Sequence, residues 1–433
     1  MASADTNSLK RMKTIDFRKF WTGETISNLG SSFTQFALPL LVFKLTGSAL
    51  NLGIATAAAF LPYLLFGLVI GAWVDRLDRK RMMILVDIGQ ALVIASIPIM
   101  FLLDALNVWW VFGVAFVSTT LKIFFDAGEF AAIPSLVDQD DLVTANGRIQ
   151  ASFFGASILG PLLAGVLLFV MPLPTLMFID ASSFLVSAGT LSLIVTSFNV
   201  AEKREKKSIR HDVAEGLRYV LHHPVLRNIS MMMAMVNFVG STTYAQLVLF
   251  AERQLHATDS QYSLMNAAGS AGVVVLSLLA GQFRKRWSFS RVALTALATE
   301  GLLTIALAFT PWFWLAVPLW ALIQGIGILF NINTGSLRQA IVPNQMLGRV
   351  LSIASVLAWS AIPLGTLLGG AIIKATGNVM LVYAGIGVLI FLIPTAFSFT
   401  ALGHAERYLP KKEEQAEEQE AAQGQTNQEP AQR

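Results

Sequence analysis

The chain has 433 residues, of which 55% are hydrophobic and 13% are charged, and its mean hydropathy is +0.62. A soluble domain carries about 25% charged residues, so this composition excludes a typical soluble protein and indicates a membrane protein with several spans. The net charge of +4 does not indicate a nucleic-acid partner, because the basic residues are dispersed among loops. The absence of cysteine excludes disulfides and thiolate metal sites without fixing the redox compartment.

Twelve apolar runs are long enough to cross the hydrocarbon core of a bilayer, which is about 30 Å thick and needs roughly 20 helical residues. They predict an all-α membrane protein with two six-helix bundles. We number these runs spans 1 to 12. They begin near Phe20, Leu50, Met82, Val108, Ile149, Pro174, Val225, Tyr262, Arg291, Trp312, Val350 and Met380.

The basic residues predict the orientation of the chain. With the N-terminus inside the cell, 27 of the 31 Lys and Arg residues fall in inner segments, and only Lys44, Arg253 and Lys374 fall in outer loops. Inner loops of membrane proteins are enriched in Lys and Arg, so both termini are expected in the cytoplasm. The polar segment before span 1 argues against a cleavable signal peptide.

Polar segments divide the chain into four predicted parts. Residues 1–198 form an N-terminal six-helix bundle, and 199–224 form a cytoplasmic linker. The second part of this linker is predicted to be an amphipathic helix at the membrane surface, and a solvated linker helix is favoured over a dedicated partner site. Residues 225–404 form the C-terminal bundle, and the Glu- and Gln-rich tail at 405–433 is expected to be disordered.

The two halves repeat one another at an offset of roughly 200 to 210 residues. Ile133-Pro134, Gly147-Arg148 and Gly160-Pro161 in the first half correspond to Val342-Pro343, Gly348-Arg349 and the Pro363 region in the second. Duplicated halves are a common build of membrane transporters, in which the substrate site lies at the interface between the repeats.

A dense charge cluster separates spans 2 and 3, and this short loop requires an antiparallel hairpin. It resembles the loop signature of the major facilitator superfamily, G-x-x-x-D-R-x-G-R-[RK]-[RK], although Asp78 stands where that family usually has glycine. The resemblance implies a cytoplasmic latch in which Asp75 meets the N-terminus of span 11. The matching residues, which form the predicted gating motif, are Gly71, Asp75, Arg76, Arg79, Lys80 and Arg81.

Further segments narrow this resemblance. Trp21-Thr-Gly23, Thr46-Gly47-Ser48-Ala49, Phe60-Leu-Pro62-Tyr63 and Leu347-Gly348-Arg349-Val350 are similar to the macrolide-efflux branch of bacterial drug:proton antiporters, and the similarity covers about residues 15 to 405. The resemblance implies a monomeric protein in the plasma membrane of a bacterium. Related branches export siderophores or flip lysophospholipids on the same scaffold.

Span 5 resembles the antiporter motif G-x8-G-x3-G-P-x2-G-G. Gly147, Gly160, Pro161 and Gly165 match the motif, while Ala156 and Ala164 replace two glycines. Small residues allow helices to approach closely. Plain packing and a barrier to proton leakage are equally good interpretations.

Ionisable residues within a membrane are costly and are therefore candidates for function. Lys122 and Asp126 lie one turn apart in span 4, as a static ion pair or as a proton-coupling pair, and Glu129 lies closer to the inner end. Asp87 and Asp180 favour structural hydrogen bonding. The proton-coupling candidates are Asp126, Lys122, Glu129, Glu300, Glu24 and Asp180.

Polar side chains share one face of spans 1 and 7, which line the cavity in the resembled fold. They are candidate substrate contacts, with interhelical hydrogen bonding as an equally good alternative. Together with residues of span 10, the candidates are Asn28, Ser31, Gln35, Asn237, Ser241, Tyr244, Gln246, Gln324 and Asn331.

The sequence lacks the signals of an enzyme. It contains no G-x-x-x-x-G-K-[ST] phosphate loop, no mid-span histidine and no paired nucleophile and base, so neither cofactor nor metal is expected. The chain is predicted to export a hydrophobic or amphipathic molecule in exchange for protons. The alternatives are a lipid flippase or siderophore exporter on the same fold and, less favoured, a sensor that has lost transport.

Overall fold

The computed structural model describes residues 2–74, 77–137, 142–198, 209–342 and 344–408, and this part of the chain is helical. Short 3₁₀ helices cover Leu173–Thr175 and Ala401–Tyr408. The α-helices are α1 Ala2–Thr46, α2 Ala49–Val74, α3 Arg79–Leu102, α4 Val108–Leu136, α5 Leu142–Leu167, α6 Leu176–Ser192, α7 Ile209–His222, α8 Pro224–Ala245, α9 Leu247–Leu255, α10 Asp259–Arg286, α11 Phe289–Ala308, α12 Phe313–Ile341, α13 Asn344–Trp359, α14 Ala361–Thr376 and α15 Val379–Phe397.

Eleven helices of the described chain are long and apolar enough to cross a membrane, and the bent pair α8 and α9 supplies a twelfth crossing. This pair is span 7, with a bend of 53° at its break. Span 11 is also divided, because Ser360 separates α13 from α14. The predicted number of spans and the all-helical fold class are confirmed.

The two halves pack their helices in the same pattern. In the first half α1 packs against α5 and α6, while α3 packs against α4 and α6. The equivalent pairs in the second half are α8 with α14 and α15, and α11 with α12 and α15. This correspondence gives the pseudo-symmetry that the sequence repeat predicted.

The helices run between two ends of the molecule, which we call the Arg79 end and the Lys44 end. The Arg79 end is where residues 77–81 join α2 to α3, and the Lys44 end is where α1 gives way to α2. Helix α7 lies at the Arg79 end, where Val220 packs with Val350 and Ile353 of α13. The apolar face of the linker helix therefore covers α13.

The chain stays packed beyond α15, through Tyr408. Glu406 accepts hydrogen bonds of 2.9 Å from both the backbone N–H and the hydroxyl of Ser290, at the start of α11, and Ala405 is fully buried. Burial raises the pKa of the Glu406 carboxyl, but these hydrogen bonds outweigh it and leave that pKa below its usual value. Residues 405–408, which the sequence assigned to the tail, thus dock on the C-terminal bundle.

The halves meet at the Lys44 end, where α2 packs against α14 and α5 against α10. Lys44 forms an ion pair with Asp259, and Arg253 donates to the Gly47 carbonyl at 2.8 Å. In the described chain, α4 and α12 make no comparable contact as they approach the Arg79 end. The molecule is therefore closed at the Lys44 end.

Candidate functional site

A cavity of about 210 Å³ lies between the two halves. Its walls come from α1 and α5 on one side and from α8, α10 and α12 on the other. Aromatic rings and amides dominate the lining, and Tyr244 stacks on Trp320 with ring centroids 6.4 Å apart. The lining residues are Ser32, Gln35, Phe36, Phe153, Phe154, Ser157, Pro161, Tyr244, Asn266, Gly269, Ser270, Val273, Trp320 and Gln324.

Three of the predicted cavity residues line this space, namely Gln35, Tyr244 and Gln324. The sequence predicted them because polar residues recur at helical spacing along one face of the span. The other aromatic residues of the lining were missed, since apolar rings in a membrane span give no pattern that separates a cavity wall from a packed core. Phe153 and Phe154 could have been noticed only as an adjacent pair.

Four other cavity candidates are engaged in hydrogen bonds between or within helices. Asn237 donates to the Ala358 carbonyl at 2.9 Å, and Ser241 donates to the Ile362 carbonyl at 3.5 Å. Asn331 donates to Gly327 of its own helix at 3.2 Å. Gln246 is fully buried and donates to the Ala49 carbonyl of the opposite half at 2.6 Å. Its position makes it part of the closed Lys44 end.

The remaining two candidates, Asn28 and Ser31, bind buried carboxylates. Asn28 donates to Glu24 at 3.1 Å, and Ser31 of α1 donates to Asp180 of α6 at 3.2 Å. Asp180 is 1% exposed. Its contact with α1 is the structural hydrogen bonding that the sequence favoured for this residue.

A charged cluster lies on α1 and α4, on the Arg79 side of the cavity. Lys122 and Asp126 form an ion pair of 3.0 Å, with side chains 47% and 42% exposed. Glu24 is buried, and its charge interacts with both. Glu129 interacts with the same three groups. The structure therefore brings four of the six proton-coupling candidates together.

Glu300 lies apart from this cluster, on α11 of the other half. A side chain placed at Gly327 of α12 would lie 3.4 Å from the Glu300 carboxylate, so this carboxylate faces a neighbouring helix of its own bundle. Asp87 of α3 is 1% exposed, and its Oδ2 atom has no hydrogen-bond partner among the described residues.

The basic loop is anchored to α6 within its own half. Arg79 donates to the Phe198 carbonyl at 3.1 Å, and Lys80 donates to the Ile194 carbonyl at 2.5 Å. Lys80 also donates to the carbonyl of Ser192, the last residue of α6, at 3.3 Å, where a cation is favoured by the helix dipole. Arg81 forms an exposed ion pair of 3.7 Å with Asp78, which contributes little stability.

Asp78 replaces the usual glycine without strain. It is the N-cap of α3, with φ −68° and ψ 103°, and its side chain accepts from the Arg81 backbone N–H at 3.0 Å. Because φ is negative, the turn does not need glycine, and aspartate is a preferred N-cap residue. Asp75 and Arg76, and the side chains of Leu347 to Arg349, lie outside the described residues, so their predicted latch stays a prediction. Gly71 belongs to α2.

The motif in α5 makes two different close contacts. A Cβ added at Gly160 would collide with the side chain of Ser32 in the same half, and one added at Gly165 would collide with Ser263 in the opposite half. Pro161 lines the cavity. Gly147 has open space around it, so close packing does not explain the match at that position.

The fold and this central cavity define a transporter of the major facilitator type. The model of the family described as "Transmembrane secretion effector" matches residues 6–427, and the chain belongs to this family. The predicted resemblance to the macrolide-efflux branch is confirmed. The protein is a transporter and not an enzyme.

Characterised relatives are bacterial efflux pumps. The chain is 29% identical to "Multidrug efflux pump Tap" of Mycolicibacterium fortuitum over 370 residues, which covers 80% of this chain and 87% of that protein. It is 25% identical to "Macrolide efflux protein A" of Streptococcus pyogenes over 362 residues, with coverage of 82% and 88%.

Solved structures share the fold. A bacterial homologue of the human lysosomal transporter Spinster, in an inward-facing and unoccupied conformation, aligns with a TM-score of 0.71 at 16% identity and covers 93% of this chain and 99% of its own. A point mutant of the nucleoside transporter NupG aligns with a TM-score of 0.75 at 12% identity, with coverage of 88% and 98%. At these identities the likeness concerns the fold alone.

Proposed function

We propose that this protein exports an amphipathic, drug-like molecule in exchange for protons, by exposing the central cavity alternately to the two sides of the membrane. The cavity between the halves carries this proposal. Its aromatic rings offer apolar surface, and the amides of Gln35, Asn266 and Gln324 offer hydrogen bonds without a fixed charge. Such a lining suits ligands of varied shape that are largely apolar. The efflux activities of the relatives support the same substrate class.

The Arg79 end is then the cytoplasmic end, with both termini inside and the protein in the bacterial plasma membrane as a monomer. The distribution of Lys and Arg supports this orientation. In the present conformation the Lys44 end is closed, so the cavity would receive its substrate from the cytoplasm or the inner leaflet. The division into two bundles, with residues 199–224 as a cytoplasmic linker, belongs to the same proposal.

The proton would be handled by the charged cluster on α1 and α4. Asp126 is held by Lys122 at 3.0 Å, yet 42% of its side chain is not covered by protein, which leaves space for a proton donor to approach. When Asp126 takes a proton, Lys122 loses its neutralising partner and must be stabilised by Glu24 or Glu129 instead. A shift of this kind would link protonation to the relative position of α1 and α4.

Proton flux measured in proteoliposomes tests the proposal. The purified chain is reconstituted with an interior pH dye, and a macrolide and a lysophospholipid are offered as rival substrates. Drug-stimulated proton movement is expected. Movement of the lysophospholipid without proton flux would favour a lipid flippase, and no movement of either substrate would contradict the proposal. Asp126→Asn serves as the matched control, because it removes the titrating group and keeps the side-chain size.

A further inference from the structure

Arg338 is a buried cation without a carboxylate partner among the described residues. It lies in α12, near the end of this helix at the Arg79 end, and it is 6% exposed. One terminal nitrogen contacts the sulfur of Met233 at 3.0 Å, while Nε has no hydrogen-bond partner in the described chain. None of the ion pairs between described residues includes Arg338. Burying an unpaired charge is costly.

Glu129 presents an ionisable carboxyl group in the first half. It lies in α4, which also runs towards the Arg79 end, and its Oε1 atom is buried without a hydrogen-bond partner among the described residues. The cation in its neighbourhood that acts on it, Lys122, is already paired with Asp126. The present conformation therefore leaves a carboxyl oxygen of Glu129 and the Nε atom of Arg338 without hydrogen-bond partners, in opposite halves of the described chain.

The internal repeat relates these two positions. An offset of 209 residues aligns Pro134 with Pro343 and places Glu129 on Arg338. Aligning the first residues of α4 and α12 instead gives an offset of 205, which places Glu129 on Thr334, four residues before Arg338. Four residues are about one helical turn, so both alignments put the charges on the same helical face.

Positions related by a twofold axis lie at equal distances on either side of it and at the same depth. When the two halves close around that axis at the Arg79 end, such positions approach each other along the line that passes through the axis. The long side chains of Glu and Arg can bridge the remaining separation of one turn. At present α4 and α12 are apart and the Lys44 end is closed.

We infer that Glu129 and Arg338 form an ion pair across the two halves when the Arg79 end closes, and that this pair stabilises the alternate conformation. The inference rests on the proposed alternating access. Under this inference, Glu129 and Arg338 are positioning residues of the transport cycle, distinct from the Lys44–Asp259 pair at the opposite end. Opening the Arg79 end would break the pair, and closing the Lys44 end would compensate for the loss.

Charge exchange is the first experiment. Glu129→Arg and Arg338→Glu should each slow downhill drug exchange, which does not need the proton-coupling role of the cluster, about tenfold or more. The double exchange should restore downhill exchange to within about threefold of the parent, because only the pair is preserved. Glu129→Gln combined with Arg338→Gln controls for simple neutralisation and should not restore the rate. A folded double exchange that is no faster than the single variants would overturn the inference.

Cross-linking is the second experiment and does not depend on transport. Because the chain contains no cysteine, Glu129→Cys with Arg338→Cys can be joined by a short, irreversible bifunctional thiol reagent during incubation with a macrolide. The reagent traps even a rarely visited closed state. Adding Gly53→Leu should raise the cross-linking yield, because a leucine at this position obstructs closure of the Lys44 end. Ser336, two residues from Arg338, points to another face of α12, so Glu129→Cys with Ser336→Cys should not cross-link.

The two experiments distinguish failure of the inferred ion pair from failure of the proposed function. Cross-linking of the 129–338 pair without drug-driven proton flux would contradict the proposed substrate and preserve the ion pair. Drug transport at the parent rate without cross-linking after prolonged turnover would contradict the ion pair and preserve the proposed function.

Discussion

The contact between α2 and α14 at the Lys44 end permits a quantitative prediction for Gly53→Leu. A Cβ at residue 53 would lie 3.0 Å from the carbonyl carbon of Thr366, 3.4 Å from Cα of Leu367 and closer still to the Thr366 carbonyl oxygen. These are backbone atoms and cannot rotate away. The substitution should therefore force α2 and α14 apart whenever this end closes.

The expected size of the effect follows from the cost of overpacking, which is about 1–3 kcal/mol. The cost applies only to the conformation in which the two helices touch. It should therefore shift the equilibrium away from closure of the Lys44 end by about 5- to 150-fold. Export should fall as well, because the cycle then spends little time open at the Arg79 end.

Maleimide labelling of Ser263→Cys measures this shift. Ser263 is 3% exposed and packs against Gly165 where α10 meets α5, so a thiol there reacts only when the Lys44 end opens. Gly53→Leu should raise the labelling rate, whereas Gly67→Leu in the same helix should not, because Gly67 has open space around it. An unchanged rate in a folded Gly53→Leu protein would refute the reasoning.

Four further changes have defined outcomes. Asp126→Asn should abolish uphill export and spare downhill exchange in liposomes, because only coupling needs titration; a protein that fails to fold would return Asp126 to a structural role. Phe153→Ala removes an exposed aromatic ring from the cavity wall. Because an aromatic contact contributes about 1 kcal/mol, drug binding should weaken about five- to tenfold, with little change in the melting temperature. Gly160→Leu should leak protons across resting liposomes if the motif in α5 is a barrier, whereas a folded, inactive and proton-tight variant would show that it serves packing alone. Because the folded pKa of Glu406 lies below its unfolded value, docking of residues 401–408 should persist at neutral pH and weaken as the pH falls through the ordinary carboxyl range and below. Hydrogen exchange at Ser290 should follow that loss, and Glu406→Gln should remove the pH dependence.

Hydropathy and charge predicted the spans because both signals come from the bilayer itself. A helix that crosses hydrocarbon must be apolar over its whole length, and short inner loops collect cations. The same uniform hydropathy gives no indication of where a span is broken. Span 7 divides at Gln246, which is neither proline nor glycine, so no residue type marks its bend. The division of span 11 at Ser360 lies three residues before Pro363, and proline cannot donate the backbone hydrogen bond that a continuous helix needs there.

The sequence was less informative about which polar residues face the cavity. Asn237 and Tyr244 lie on the same face of α8 and are equally suitable by periodicity, but Asn237 reaches the Ala358 carbonyl and Tyr244 lines the cavity. The difference depends on the close approach of α13 and α14 to α8, a long-range contact that no local pattern contains. Glu24 gathers with Lys122 and Asp126 for the same reason, through the packing of α1 against α4.

The two halves share their packing but not their charges, and this asymmetry bears on mechanism. Equivalent helices make equivalent contacts, so the scaffold can rock about a symmetric axis with similar interfaces at both ends. The ionisable residues break this symmetry, because Glu24, Lys122, Asp126 and Glu129 belong to the first half and Arg338 stands in the second. In the proposed cycle, a proton taken up by the first half would therefore change its attraction for a cation across the axis. Such an arrangement lets a local titration favour one conformation of a symmetric scaffold, which a fully symmetric distribution of charge could not do.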